Sequence, residues 1–237
     1  MERARNRAAP TIPGMDWKQW HTKYDDPGSA YSRRLEEVRA RIVDALDQAP
    51  GGPLRALSLC AGEGRDLIPV LAAHPRGRDV RARLVELDPQ LAEQARESAR
   101  EAGLSSVEVV TGDAAEIDHY LELAPADLVL VCGLYGNIGP EDIERTVAAC
   151  AGLCAQGGTV IWTRGRSRNR TSKTVDRIRG WYARDGFEEL YGSAEDVSLY
   201  VGAHRQTREP AAPPPAGTRL FEFVGYDVLA ADPAATA

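Results

Sequence analysis

The chain has 237 residues, 27% of them charged and 43% hydrophobic, with a formal net charge of −6. That is enough chain to bury a full core in one domain, and it excludes a disulfide-stapled miniprotein, a long repeat array and a chain too charged to fold. No apolar run approaches the roughly 20 residues that cross a bilayer. The arginine-bearing start (Arg3, Arg5, Arg7) lacks the apolar stretch of a secretory signal, and the acidic total argues against a dedicated nucleic-acid binder. A cytoplasmic location is the expectation.

In chain order, 1–14 read as a tail and 15–50 as a helical cap, with Leu35, Val38, Ile42, Val43 and Leu46 recurring at helical spacing. From Leu54 short apolar runs alternate with longer amphipathic ones. Strands are predicted at Leu54–Cys60, Val80–Glu86, Ser106–Thr111, Asp127–Cys132 and Gly158–Thr163. Helices are predicted at Gly64–Ala73, Pro89–Ala102, Ala114–Leu123 and Pro140–Cys154. This β-α alternation predicts an α/β three-layer sandwich around a mostly parallel sheet, and near-continuous apolar strands such as Leu128–Val131 fit burial on both faces. A helix follows at Thr171–Arg184. Two late strands, Val197–Ala203 and Leu220–Tyr226, are then expected to close a seven-stranded sheet as an antiparallel hairpin across the proline-rich 210–217. The main domain is placed at 51–229 and a second tail at 230–237. The four cysteines (Cys60, Cys132, Cys150, Cys154) form no CxxC pair and read as reduced, mostly buried thiols.

Three turns carry chemistry. Cys60-Ala61-Gly62-Glu63-Gly64-Arg65-Asp66 joins the first strand to the first helix, where glycines let the backbone approach a ligand. A tight βα turn that needs glycine for its angles is the plainer reading. It does not have the G-x-G-x-x-G spacing of dinucleotide sites, since the third glycine position, counted from Gly62, is Leu67. Glu86-Leu87-Asp88-Pro89 ends the second strand. There a carboxylate can accept from both hydroxyls of a ribose, while Asp88 caps the helix that Pro89 begins. Gly112-Asp113-Ala114 ends the third strand, and Asp113 can take an adenine amino group, cap the next helix, or do both.

As an ordered set at the carboxyl ends of consecutive strands, these turns resemble the class I, Rossmann-like S-adenosylmethionine-dependent methyltransferases. The resemblance runs from about Leu54 to Tyr226 and includes the fourth strand, Asp127–Gly133, and Gly186-Phe187. It implies that Cys60, Ala61, Gly62, Gly64 and Asp66 face the amino-acid part of S-adenosylmethionine. It further implies that Glu86 binds the ribose, Leu87 packs on the adenine, Asp113 holds its amino group beside Ala114, and Cys132 and Gly133 lie near the methionine end. Two departures stand out. Ser58 replaces an acid the family often has, and Cys60 replaces the first glycine.

The resemblance also implies methyl transfer by in-line displacement, with S-adenosylhomocysteine as the product. Positioning can drive this without a catalytic signature. Tyr135 and Asn137 follow the fourth strand and are candidate substrate contacts, or else the tyrosine packs and the asparagine turns the chain. Trp17, Trp20, His21 and Tyr24 concentrate aromatic character near the start. They are candidates for a lid, with His21 and Tyr135 as candidate catalytic groups. His119, His74 and His204 read as structural or peripheral. Arg164 opens a stretch to Arg179 with seven basic residues against Asp176 alone, suited to an anionic group. No metal is expected, because the fifth strand ends Trp162-Thr163-Arg164 without acids. The expected acceptor is a small molecule, anionic or aromatic, with a specialised metabolite as one class. No membrane contact is expected. RNA or protein methylation, or cofactor binding without catalysis, are the competing readings.

Overall fold

The computed structural model describes residues 26, 28–165, 171–194 and 197–225. Helix α1 (Ala30–Gln48) comes before the sheet, capped by Ser29, whose side chain accepts from the Ser32 N–H at 3.0 Å. The chain then alternates: β1 (Leu54–Leu59), α2 (Ile68–Ala73), β2 (Val80–Glu86), α3 (Pro89–Glu101), β3 (Val107–Thr111), α4 (Asp118–Leu121), β4 (Ala126–Val131), α5 (Pro140–Leu153) and β5 (Cys154–Gly165). After α6 (Thr171–Arg184) come β6 (Phe187–Gly192) and β7 (Leu199–Gln206).

The seven strands lie in the order β3-β2-β1-β4-β5-β7-β6. The first five are parallel, and β7 inserts antiparallel between β5 and β6. Strand order reverses between β1 and β4, which opens a crevice at their carboxyl ends, the place where open α/β sheets take ligands. Side chains alternate along each strand, so the sheet feeds two cores. On one face Ala56, Leu84 and Leu128 pack with α1, α2 and α3, through Ile42, Leu71 and Ala95. On the other, Leu57, Val129 and Trp162 pack with α5 and α6, through Val147 and Ile178. Helix α1 is thus a layer of the sandwich, fixed on β5 and β7, and no helix among the described residues is long and apolar enough to cross a membrane.

Three expectations need correction. Helix α2 begins at Ile68 rather than Gly64, because Gly62 and Gly64 take φ of +56° and +68° in a turn that an α-helix cannot contain. Helix α4 keeps only four residues, since the preceding segment is held elsewhere: the Ile117 N–H donates to the Thr218 carbonyl at 3.1 Å. The antiparallel closure is β6 against β7, and of the expected strand Leu220–Tyr226 the described residues 220–225 form no part of it. Residues 217–225 instead cross the ends of the parallel strands as a strap. The prolines before the strap cannot donate to a ladder, and Pro213 packs against Gly152 so closely that a Cβ there would lie 2.6 Å from the Pro213 Cα.

His204, expected at the periphery, is 1% exposed. It stacks on Tyr182 and Trp162, with centroids at 4.7 and 6.1 Å and both interplanar angles 15°. Burial lowers its pKa from 6.5 to about 4. The folded protein therefore holds the neutral ring, while the unfolded chain takes up a proton near pH 6.5. Stability from this residue is complete above that pH and is lost as pH falls toward 4. Urea unfolding should show the wild type losing about 2 kcal/mol between pH 7 and pH 5 through this group. His204→Phe should remove that part of the pH dependence.

Candidate functional site

The three turns expected to carry chemistry meet at Glu86. Its side chain ends β2 and is 9% exposed. Oε2 accepts from the Gly62 N–H at 2.7 Å and Oε1 from the Asp88 N–H at 2.8 Å. The backbone adds two ties: Ala61 N–H to the Val85 carbonyl at 3.0 Å and Gly112 N–H to the Glu86 carbonyl at 2.9 Å. Burial pushes the Glu86 carboxyl pKa up, and the Asp88 and Gly62 N–H groups oppose it. Each carboxylate oxygen keeps a lone pair beyond these bonds, so two ribose hydroxyls can be received.

The first turn is shaped by an unusual residue. Cys60 has φ of +53°, a left-handed conformation that costs a side chain of order 1–3 kcal/mol. It is half-buried. Its thiol pKa is raised well above the usual value by burial, then by the charges of Glu86 and Asp113. The thiol therefore lies within electrostatic reach of the two carboxylates expected to hold ribose and adenine. Gly64 N–H closes the turn on the Ala61 carbonyl at 2.9 Å. Asp88 caps α3 as expected, accepting from the Gln90 N–H at 2.7 Å, with Pro89 next.

The methionine-side residues lie where β1 and β4 part. Asp66 Oδ1 accepts from the Leu67 N–H at 2.8 Å. Burial raises its pKa, partly offset by that bond and by the charges of Arg34 and Arg39. Arg39, on α1, donates through Nε and Nη2 to the Arg65 carbonyl at 3.0 and 2.8 Å, so α1 braces the turn from outside. Neither arginine carries a local sequence signal, and only the packing of α1 reveals them. Cys132 is half-buried, and its thiol is pushed up by burial, with smaller effects from the charges of Asp66 and Arg34. Gly133 has φ of +77° and open space where a Cβ would stand, and its N–H donates to Thr163 Oγ1 at 2.8 Å. Of the residues expected at the nucleobase, Leu87 and Asp113 are half-buried and Ala114 is buried, and Asp113 follows Gly112, whose N–H donates to the Glu86 carbonyl. These residues fit a zwitterionic nucleoside cofactor: carboxylates for hydroxyl, amino and ammonium groups, and a glycine-lined floor.

The acceptor-side residues do not converge in the same way. Tyr135 is 0% exposed, and its hydroxyl pairs with that of Tyr182 at 2.7 Å. Its ring belongs to the core, a correction to its placement against substrate. Asn137 Nδ2 donates to the Gly133 carbonyl at 2.7 Å and so shapes the loop. Arg164 is the next-to-last residue of β5, opposite Tyr200. His119 packs over Gly112, and His74 meets Asp47 at 3.1 Å. Trp17, Trp20, His21 and Tyr24 lie outside the described residues, as do the arginines of 166–170 and both tails. Among the described residues no group of three or more His, Cys, Asp or Glu is placed to hold a metal.

Residues 56–158 match a family described as a methyltransferase domain. No curated protein matches the chain in sequence. Among solved structures, magnesium protoporphyrin IX methyltransferase from Synechocystis PCC 6803, with bound SAM, is 15% identical. It covers 83% of this chain and 100% of its own, with a TM-score of 0.58. An O-methyltransferase family 2 protein from Planctomyces limnophilus, in complex with apigenin, is 17% identical at TM-score 0.58, with coverage of 82% and 63%. A putative rRNA-methylase from Clostridium thermocellum is 12% identical at TM-score 0.56, with coverage of 72% and 96%. At these identities the shared feature is the fold.

All four thiols are free, and each is shifted upward by burial, Cys150 to about 12. At pH 8 a thiol with that pKa is about one part in 10⁴ thiolate. Native protein should therefore react with iodoacetamide at least a hundredfold more slowly than the urea-unfolded chain, with all four cysteines alkylated only after unfolding. Mass spectrometry of the adducts reads this directly.

Proposed function

We propose that the chain is a class I, Rossmann-like methyltransferase that uses S-adenosylmethionine to methylate a small-molecule acceptor by in-line displacement, a reading supported by the methyltransferase-domain match over residues 56–158 and by the shared fold. The observation that carries this reading is the buried Glu86 carboxylate, tied to the first turn and, through its carbonyl, to Gly112 beside Asp113 at the carboxyl edge of the sheet. When bound, S-adenosylmethionine supplies an electrophilic methyl group on a sulfonium. The residues of the chain hold it. Glu86 receives the ribose hydroxyls, Leu87 and Ala114 flank the adenine, and Asp113 takes its amino group. The backbone of Cys60, Ala61, Gly62 and Gly64, together with Asp66, Cys132 and Gly133, borders the amino-acid end. Holding donor and acceptor in a near-attack geometry supplies most of the rate, so no dedicated base is required.

The acceptor enters from the side of Asn137 and Arg164. Neighbours named for porphyrin and apigenin support a small planar acceptor. Methylation of RNA is the second reading, favoured by the rRNA-methylase neighbour and the basic stretch after β5, and opposed by the net charge of −6.

Isothermal calorimetry should show S-adenosylmethionine and S-adenosylhomocysteine binding at one site per chain. Glu86→Ala should weaken both at least tenfold, since it removes a charged acceptor for two hydroxyls. Affinity should begin to fall on acidification at a pH above the usual carboxylate range, because burial raises the Glu86 pKa and the protonated acid is a poorer acceptor. A folded wild type that binds neither ligand would refute the reading.

A further inference from the structure

The strap crossing the strand ends brings a charged side chain to the nucleobase side of the crevice. Arg219 Nη1 donates to Asp113 Oδ2 at 2.8 Å, and Arg219 Nε reaches Glu222 Oε2 at 3.1 Å. The other Asp113 oxygen, Oδ1, accepts from the Ala115 N–H at 3.0 Å. The arginine backbone is fixed on both sides. Thr218 accepts from the Ile117 N–H at 3.1 Å, and the Leu220 N–H donates to Ala115 at 2.8 Å, an antiparallel bridge between Arg219 and Glu116. Leu220 and Phe221 are 0% and 2% exposed, so the strap is anchored in the core directly beyond Arg219. The Val224 and Gly225 N–H groups then meet the Asn137 carbonyl at 2.9 and 3.0 Å.

As an ion pair this contact contributes little to stability, because the two side chains are 42% and 19% exposed and such pairs are screened. Its effect is on geometry. The terminal torsion of an aspartate is broad and two-fold, so the single bond from Ala115 leaves the carboxylate plane free to turn. A guanidinium on the second oxygen fixes that plane. We infer that Arg219 is a positioning residue that orients Asp113 toward the 6-amino group of the nucleobase, and so sets selectivity for adenine over a 6-oxo purine. The inference rests on the cofactor reading above. It also assigns a second property to the guanidinium: with the aspartate removed, its N–H groups stand near the 6-position as donors, which suit a 6-oxo group.

The test compares S-adenosylhomocysteine with S-inosylhomocysteine by calorimetry, with thermal melting as a fold control. Wild type should prefer the adenosyl ligand by tenfold or more, because a site built to accept from an amino group leaves its acceptor facing the 6-oxo oxygen of the analogue. Arg219→Ala should cut that ratio about fivefold with little change in melting temperature. Arg219→Gln, which keeps the side-chain stem, should cut it similarly, and Arg219→Lys should restore part of it. Asp113→Ala should bring the ratio to one or below, and Asp113→Ala/Arg219→Ala should hold it near one. An unchanged ratio in Arg219→Ala, or equal weakening of both ligands, overturns the role of Arg219 alone. Wild type that binds neither ligand overturns the cofactor reading itself.

Discussion

The site depends on one buried carboxylate. Glu86 reaches sideways from the end of β2 to the Gly62 N–H and forward to the Asp88 N–H. These donors satisfy a charge that burial would otherwise penalise. The first turn is thereby fixed relative to the second strand, and the Gly112 N–H on the Glu86 carbonyl brings in the third. Three loops that would each be mobile alone become a single rigid surface. The left-handed Cys60 is tolerated within that frame, since the surrounding bonds over-determine the turn.

Much of this was legible because the signals are local. The strand Val80–Glu86 is observed with its predicted bounds, and Asp88-Pro89 starts α3 as capping chemistry requires. Parallel β-α alternation follows from apolar periodicity, and the placement of Glu86 and Asp113 follows from the strand ends. The misses involve partners distant in sequence. Nothing near His204 announces that Trp162 and Tyr182 will enclose it. Tyr135 follows a strand end, as a substrate contact would, yet its hydroxyl finds Tyr182 in the core. The apolar run at 220–224 looks like a strand. Its N–H groups at Leu220, Glu222 and Val224 are taken by Ala115, Asp142 and Asn137 rather than by a sheet edge. Arg39 shows helical periodicity and no hint that it will brace the Arg65 carbonyl.

The crevice thus has banks of different character. The side proposed for the cofactor is built from strand ends and backbone donors, which are precise because the sheet is rigid. The side proposed for the acceptor is the loop after β4, with Asn137 serving loop shape and strap attachment together. A chemistry that works mainly by alignment suits this division. One bank can stay fixed while the other varies to receive different acceptors.

The strap also has a consequence in time. Asp113 and Arg219 are 106 residues apart in the chain. At ribosomal speeds of about 5–20 residues per second, roughly 5 to 20 s separate their synthesis. During that interval the parallel strands can pair and bury their cores while the nucleobase side lacks its guanidinium and the loops after β3 and β4 remain untied. A nascent chain of this kind acquires its scaffold first and its ligand selectivity last.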